Sequence, residues 1–305
     1  MIEGRVIGAQ SGHRIVLFAK SGVWWVQPRR DEPFTRIESD STWKSLTHLG
    51  REYAALLVEP GYNPPTTIET LPTEGDGVIA RATIQGSSPS SESATILNFS
   101  GYEWKVRSVS SERGGQKNEY APANVWVDEN GFLHLRIARK SDHWTCAELR
   151  LTRSLGYGSY LMVVREVSHF EPPVVLSMFT WDQAASEENH REIGIELTRW
   201  GDPAGKNAQY AIQPYYVPAN VARFTAPSGL LTHLFRWEPG KASFRTVRGS
   251  EPGNSASVIS EHVFTSGIPS SGNELLHLNL YLFGNTSIPL QNETEVVIEK
   301  FEYLP

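Results

Sequence analysis

The chain's clearest candidate for chemistry is Arg191-Glu192-Ile193-Gly194-Ile195-Glu196-Leu197, which sets two carboxylates four residues apart with apolar residues alternating between them. In a β-strand, side chains alternate between faces, so Glu192, Gly194 and Glu196 share one face while Ile193, Ile195 and Leu197 share the other. The isoleucine face belongs in a core. The carboxylate face is expected to look into solvent or a cleft, because an unpaired buried carboxylate costs several kcal/mol. At about 3.3 Å per residue the two glutamate Cα atoms stand roughly 13 Å apart, and side chains that lean together close most of that gap. A carboxyl separation near 5 to 5.5 Å suits a retaining displacement at an acetal carbon, with one carboxylate as nucleophile and the other as acid and then base. Taken alone, the same spacing also describes an ordinary polar strand face, so its setting has to decide.

The rest of the sequence offers few competing chemistries. Cys146 is the single cysteine, which rules out an intrachain disulfide and a cysteine metal cluster; it reads as a small buried residue. His190, His233 and His277 show no metal-ligand spacing, and no G-x-S-x-G turn supports a serine triad. No cofactor is called for. Arg191 and Arg199 flank the central segment and read as its counter-charges. Trp181 and Trp200 fall just before and just after it, where indole faces could stack on the C–H faces of sugar rings; Tyr215, Trp126, Tyr216 and Trp144 are lesser candidates for the same role.

The elements that must position these residues are strands. The 305 residues are 39% hydrophobic, with 28 basic and 34 acidic side chains well mixed, giving a net charge of −6. That content suits one or two cores and argues against a nucleic-acid groove, which needs concentrated basic surface. No apolar run reaches the ~18 residues of a membrane span, and the N-terminus lacks a signal-peptide layout. Ile2-Glu3-Gly4-Arg5 instead reads as an appended protease-recognition tetrapeptide. Residues 1–75 read as a small β-rich accessory domain: Arg14 to Lys20 and Val23 to Gln27 form a hairpin about Ser21-Gly22, and Tyr53 to Val58 is a third strand or a short helix. Its Trp24, Trp25 and Trp43 are read as core before they are read as a sugar platform. The Pro/Gly-rich stretch ending in Gly75-Asp76-Gly77 marks the expected boundary, with 76–305 as the second domain and 86–93 as a linker-like loop.

From residue 94 onward, short β runs alternate with Gly, Pro, Asn and Asp turns. They include Val125 to Val127, Phe132 to Ile137, Tyr160 to Val167, Val174 to Trp181, Leu231 to Trp237, Leu275 to Phe283 and Glu295 to Tyr303. Asn130-Gly131 signals a hairpin between the first two. Strands at this spacing predict a sandwich or barrel. Asn98-Phe99-Ser100, Asn285-Thr286-Ser287 and Asn292-Glu293-Thr294 match glycosylation triplets, a pattern frequent by chance.

The order of landmarks over about 94–305 resembles glycoside hydrolase family 16. They are Phe99-Ser100-Gly101-Tyr102-Glu103-Trp104, Asn124 to Leu135, Tyr157-Gly158-Ser159-Tyr160, Phe179-Thr180-Trp181-Asp182, the EIGIE of 192–196, Trp237-Glu238-Pro239-Gly240-Lys241 with Phe244, Leu278-Asn279-Leu280, and the closing Val296 to Tyr303. The resemblance implies an all-β fold, a concanavalin A-like β-sandwich jelly roll, preceded here by the small β-rich N-terminal domain. It implies Glu192 as nucleophile and Glu196 as acid/base in a cleft that takes β-glucan-type polysaccharide or oligosaccharide, and an extracellular or periplasmic setting. A structural calcium occurs in some relatives, with no ligands identifiable here.

Two positions depart from the family pattern. Leu161 stands where a Glu often follows the Tyr-Gly-x-Tyr turn, and Gly194 stands where the family has its central Asp. An Asp between the glutamates supplies charge and hydrogen bonding that separate their protonation states. Two functions therefore stay open: a retaining endo-acting β-glucan hydrolase, and a non-catalytic carbohydrate-binding protein on the same scaffold. Because residue 194 faces the cleft, Gly194→Asp is expected to fit without disturbing the core.

Overall fold

The computed structural model describes residues 2–21, 23–27, 32–45, 47, 52–85, 95–185, 187, 189–253, 256–284 and 287–305. Gly22 of the expected hairpin turn, the expected loop 86–93 and Asn285-Thr286 lie outside the described residues. The chain divides into two compact units, Met1–Glu92 with Ala184–Ser186, and Ser93–Gln183 with Glu187–Pro305. Among the described residues, the only helical elements are two 3₁₀ turns, Pro122–Asn124 and Pro218–Asn220, and no helix is long and apolar enough to cross a membrane.

In the first unit the strands run Thr67–Ile68, Val23–Gln27, Arg14–Ser21, Glu52–Val58 and Val78–Gln85, each paired antiparallel with the next, and Phe34–Thr35 pairs with Arg14–Ser21. The segment read as strand or helix is thus a strand. Its alternating Ala54, Leu56 and Val58 pack with Val16, Phe18, Trp24 and Val26. Trp43 is buried with Ile15 and Leu17, so Trp24 and Trp43 are core side chains. Gly75, Asp76 and Gly77 all have positive φ and form the turn into Val78–Gln85. The Gly-rich signal there marks a bend inside the first sheet, which continues past residue 75. Ile2–Arg5 pairs with Thr42–Ser45, and a Cβ on Gly4 would stand 2.5 Å from the Trp43 ring. Only glycine lets that strand lie on the indole.

The larger unit is a jelly-roll β-sandwich of two curved antiparallel sheets. The front sheet runs in the order Ile96–Phe99, Tyr102–Val106, His143–Leu151, Leu275–Leu282, Val174–Trp181, Ile193–Leu197, Ala208–Ile212 and Val221–Phe224. The back sheet runs Val125–Val127, Leu133–Lys140, Thr294–Leu304, Gly158–Val164, Leu231–Glu238, Lys241–Arg248 and Val258–Phe264. The hairpin between Leu133–Lys140 and His143–Leu151 joins them. The Asn130-Gly131 turn closes as its sequence predicts: Gly131 has φ +81°, and the Asp128 carboxylate accepts the N–H groups of Asn130 and Phe132.

Inward-facing Leu149, Leu176, Met178, Ile193, Ile195, Leu197, Tyr210, Leu278 and Leu280 of the front sheet meet Leu135, Tyr160, Met162, Phe235, Trp237, Phe244, Ile298 and Phe301 of the back sheet. Each such side chain contributes about 1.5 to 3 kcal/mol on burial. The deepest indoles keep their N–H groups satisfied, Trp104 donating to the Phe99 carbonyl and Trp237 to that of Pro269, each at 3.1 Å. Leu161, the departure noted above, is a buried apolar residue of the back sheet.

One polar chain crosses this core. The Tyr210 hydroxyl donates to Thr246 Oγ1 at 2.8 Å, and Thr246 Oγ1 lies 2.9 Å from His233 Nδ1. His233 is fully buried and its Nε2 has no partner among the described residues. Burial pushes its pKa down to about 3. The folded value lies below the unfolded one, so this neutral histidine leaves stability intact above pH 6.5 and withdraws it as pH falls from there toward 3. Between pH 7 and 5 the expected loss is about 2 kcal/mol. Denaturant titrations at the two pH values should show that loss, and His233→Gln should flatten it; an equal pH dependence in the variant would count against the assignment.

Candidate functional site

The central strand Ile193–Leu197 places its chemistry by alternation. Ile193, Ile195 and Leu197 are wholly buried in the sandwich, which turns Glu192 and Glu196 to the outer face of the front sheet, where both are half-buried. The entry to the strand is fixed from both sides. Thr180 Oγ1 donates to the Arg191 carbonyl at 2.7 Å and accepts the Ile193 N–H at 3.0 Å, so one hydroxyl grips the backbone on either side of Glu192. Arg191, with φ +58°, turns its guanidinium onto buried Asp182 at 3.0 Å. Arg199 donates to the Phe170 carbonyl, so both flanking arginines hold the scaffold.

Across the next strand lies a ladder of three pairs. Glu196 is opposite Gln209, Gly194 is opposite Ala211, and Ile193 opposite Ile212 carries the register on toward Glu192 and Gln213. Gln209 Nε2 donates to Glu196 Oε2 at 2.5 Å. The amide orientation is forced, since Gln209 Oε1 accepts from two obligate donors, Trp200 Nε1 at 3.1 Å and Arg223 Nε at 3.0 Å. Gln213 repeats the device: its Oε1 accepts the Tyr215 N–H at 2.8 Å and its side chain also bonds Glu192. The glutamates thus receive one glutamine each, on either side of a Gly/Ala pair.

On the other side of the central strand, Phe179 is opposite Gly194. A Cβ on Gly194 would stand 2.9 Å from Phe179 Cβ and 3.2 Å from the Met178 carbonyl oxygen. This corrects the expectation that an aspartate fits there. The obstructing atoms belong to backbone and to the root of a side chain, which cannot swing away. The Phe179 ring is held in turn, stacked on His277 at 5.0 Å and with the Arg113 guanidinium 4.5 Å from its centre. His277 Nδ1 meets Glu148 at 2.9 Å, and Glu148 also takes Arg107 at 3.0 Å and Asn279 Nδ2 at 3.0 Å.

The electrostatics follow from the donor sets. Burial acts to raise Glu148, but Arg107, His277 and Arg113 outweigh it and hold this carboxyl far below the usual range; His277 is pushed down by burial and donates as neutral imidazole. Glu196 goes the other way: burial first, then the charge of Glu192, raises it to about 7, with Gln209 and Arg113 only partly compensating. Burial also raises Glu192, opposed by Arg113 and Gln213. Both carboxyls are therefore raised, and at about 7 Glu196 still holds its proton in part near neutrality.

The expected aromatic walls are distributed unevenly. Trp200 joins Glu196 through Gln209. Trp181 shares the strand face of Phe179 and stacks on His190 at 4.2 Å. Tyr215 is 66% exposed just past Gln213. Trp126 does not belong to this group: it lies on the back sheet, stacked on His134 at 4.8 Å and opposite it in the ladder. Sequence reasoning missed Gln209, Gln213, Phe179 and Arg113. The glutamines carried a signal in Gln209-Tyr210-Ala211-Ile212-Gln213, the same four-residue, period-2 spacing as the glutamates. Arg113 had none.

No family model and no curated protein matches the sequence. Solved structures do match. The chain is similar to a Bacillus licheniformis β-glucanase at 16% identity and TM-score 0.53, over 70% of this chain and 98% of that one. A β-1,3-glucanase from Mycobacterium marinum matches at 12% identity and TM-score 0.50, over 66% and 90%. A prokaryotic β-1,3-1,4-glucanase (lichenase) derived from a mouse hindgut metagenome matches at 16% and 0.50, over 66% and 92%. At such identities the likeness establishes the class of fold: the jelly-roll β-sandwich on which glucanases are built.

The packing at Gly194 sets an expected outcome. Gly194→Asp should destabilise by about 1 to 3 kcal/mol through overpacking. Removing the Phe179 Cβ should recover part of it, so Gly194→Asp with Phe179→Gly should be more stable than the sum of the two single changes. Urea titrations of the four proteins measure the coupling, and strict additivity would show that the Phe179 Cβ is not the obstacle.

Proposed function

We propose that the front face of the larger unit takes β-glucan-type polysaccharide and that Glu192 and Glu196 are the reacting pair of a retaining glycoside hydrolysis. The observation that carries this reading is the ladder in which the Glu192/Gln213 and Glu196/Gln209 pairs bracket Gly194 and Ala211 on one face. A carboxyl raised to about 7 suits Glu196 to the acid role. Glu196, raised to about 7, gives its proton to the leaving oxygen while the Glu192 carboxylate bonds the anomeric carbon. Glu196 then takes a proton from water as that water displaces Glu192, which restores both groups.

A second reading, carbohydrate binding without turnover, is favoured by Phe179. Its position opposite Gly194 leaves no third carboxylate between the glutamates to orient the nucleophile. Reducing-sugar release from β-1,3- and mixed-linkage glucans, run beside pull-down on the insoluble polymers, separates the two. Release that vanishes in Glu192→Gln supports hydrolysis, and binding without release supports the second reading. If the protein hydrolyses, its rate should fall as pH rises through about 7, where Glu196 loses the proton it must donate. A pH–rate profile level from 6 to 8.5 would remove Glu196 from the acid role.

A further inference from the structure

The row of front-face residues that contains Glu196 is unequal on its two sides. Successive cross-strand partners are Glu148, Asn279, Ser177, Glu196, Gln209 and Arg223. Toward Glu148 the row is sealed, with Glu148, Asn279 and Ser177 at most 2% exposed. Toward Arg223 it opens: Arg223 is exposed, and so are Tyr215 and Tyr216 beyond Gln213. The sealed floor is polar. Ser177 Oγ and Asn279 Oδ1 have no hydrogen-bond partner among the described residues, although both are buried.

What covers that side is the hairpin of Ser111–Arg113 and Gln116–Tyr120. Its two-residue turn, Gly114-Gly115, has positive φ at both positions, the signature of a tight primed turn. The turn lies directly on the front sheet: a Cβ on Gly114 would come within 2.8 Å of the Tyr281 ring. The strand Gln116–Tyr120 is fastened along its length. Gln116 Nε2 donates to the Leu282 carbonyl at 3.0 Å, and buried Asn118 both donates to that carbonyl at 3.2 Å and accepts the Leu282 N–H at 3.1 Å. The Gly284 N–H donates to the Gly114 carbonyl at 2.8 Å, and Glu119 and Tyr120 pair with Thr145 and Cys146. From the inner edge Arg113 reaches Phe179, 4.5 Å from the ring centre, beside the glutamates. A hairpin bonded at both ends and in the middle is a wall, not a flap.

We propose that this hairpin walls off one end of the front face, so that the protein engages the end of a glycan chain, with the terminal unit lodged at Glu192 and Glu196 against Arg113 and the chain leaving past Gln209, Arg223 and Tyr215. The inference rests on the reading that the front face takes a glycan. An open groove accepts many proteins along one polymer, whereas a closed one accepts a single protein per chain end of the right polarity. Calorimetric stoichiometry on soluble β-1,3- and mixed-linkage glucans of graded length distinguishes them, with Glu192→Gln used if the parent cleaves the chain. The expected result is one protein per chain at every length, so that sites per gram fall about tenfold for a tenfold longer chain. Sites per gram that stay constant with length would overturn the end wall and leave the glycan reading standing. Absence of heat and of pull-down with every glucan would overturn both. A hydrolytic parent adds a second readout: small products from the first minutes support the wall, and a rapid drop in polymer length from random internal cleavage overturns it.

Discussion

Phe179 lying across from Gly194 is the contact on which the site depends. Strands a few ångströms apart must share the space above each cross-strand pair, and here Phe179 Cβ stands 2.9 Å from where a Cβ on residue 194 would lie. The ring's position is then inherited down a chain of contacts, from Phe179 to His277, from His277 to Glu148, and from Glu148 to Arg107 and Asn279. Replacing any member leaves its neighbour either unsupported or with an unpaired polar atom in a dry setting, where that atom costs about 1 to 3 kcal/mol. An aromatic side chain at the centre of a carboxylate pair is therefore tied to the whole front sheet.

The same sheet shows how donor number sets the state of a carboxylate. Glu148 and Glu196 sit in one cross-strand row, yet they behave oppositely. Glu148 meets a guanidinium, an imidazole N–H and an amide N–H, enough to outweigh the cost of burying its charge. Glu196 meets one neutral amide directly and has a second negative charge for a neighbour, so burial prevails. Gln209 is the hinge of this difference. Its carbonyl is committed to Trp200 and Arg223, and what remains for Glu196 is a single N–H.

Read alone, the sequence determined the parts of this protein that depend on short-range alternation. Period 2 in Glu192 to Leu197 is enough to separate a core face from a carboxylate face, and Val174–Trp181 is legible to the residue because its apolar run ends at a turn. The strand His143–Leu151 was harder to see, since Glu148 and Arg150 interrupt its pattern; their polarity makes sense only with Arg107 and His277 in place. Tertiary structure alone decided what stands across each strand. Register between Phe179 and Gly194, 15 positions apart in the chain, turns an apparent vacancy for aspartate into a filled site. Arg113 comes from a hairpin far from the central strand in sequence, and no local pattern announces it. Trp126 shows the converse, because a tryptophan on a strand carries no mark of which sheet that strand will join. Side-chain periodicity is a property of one strand, whereas a groove is made by the order in which strands pair, and that order is fixed by contacts between residues that the chain keeps far apart.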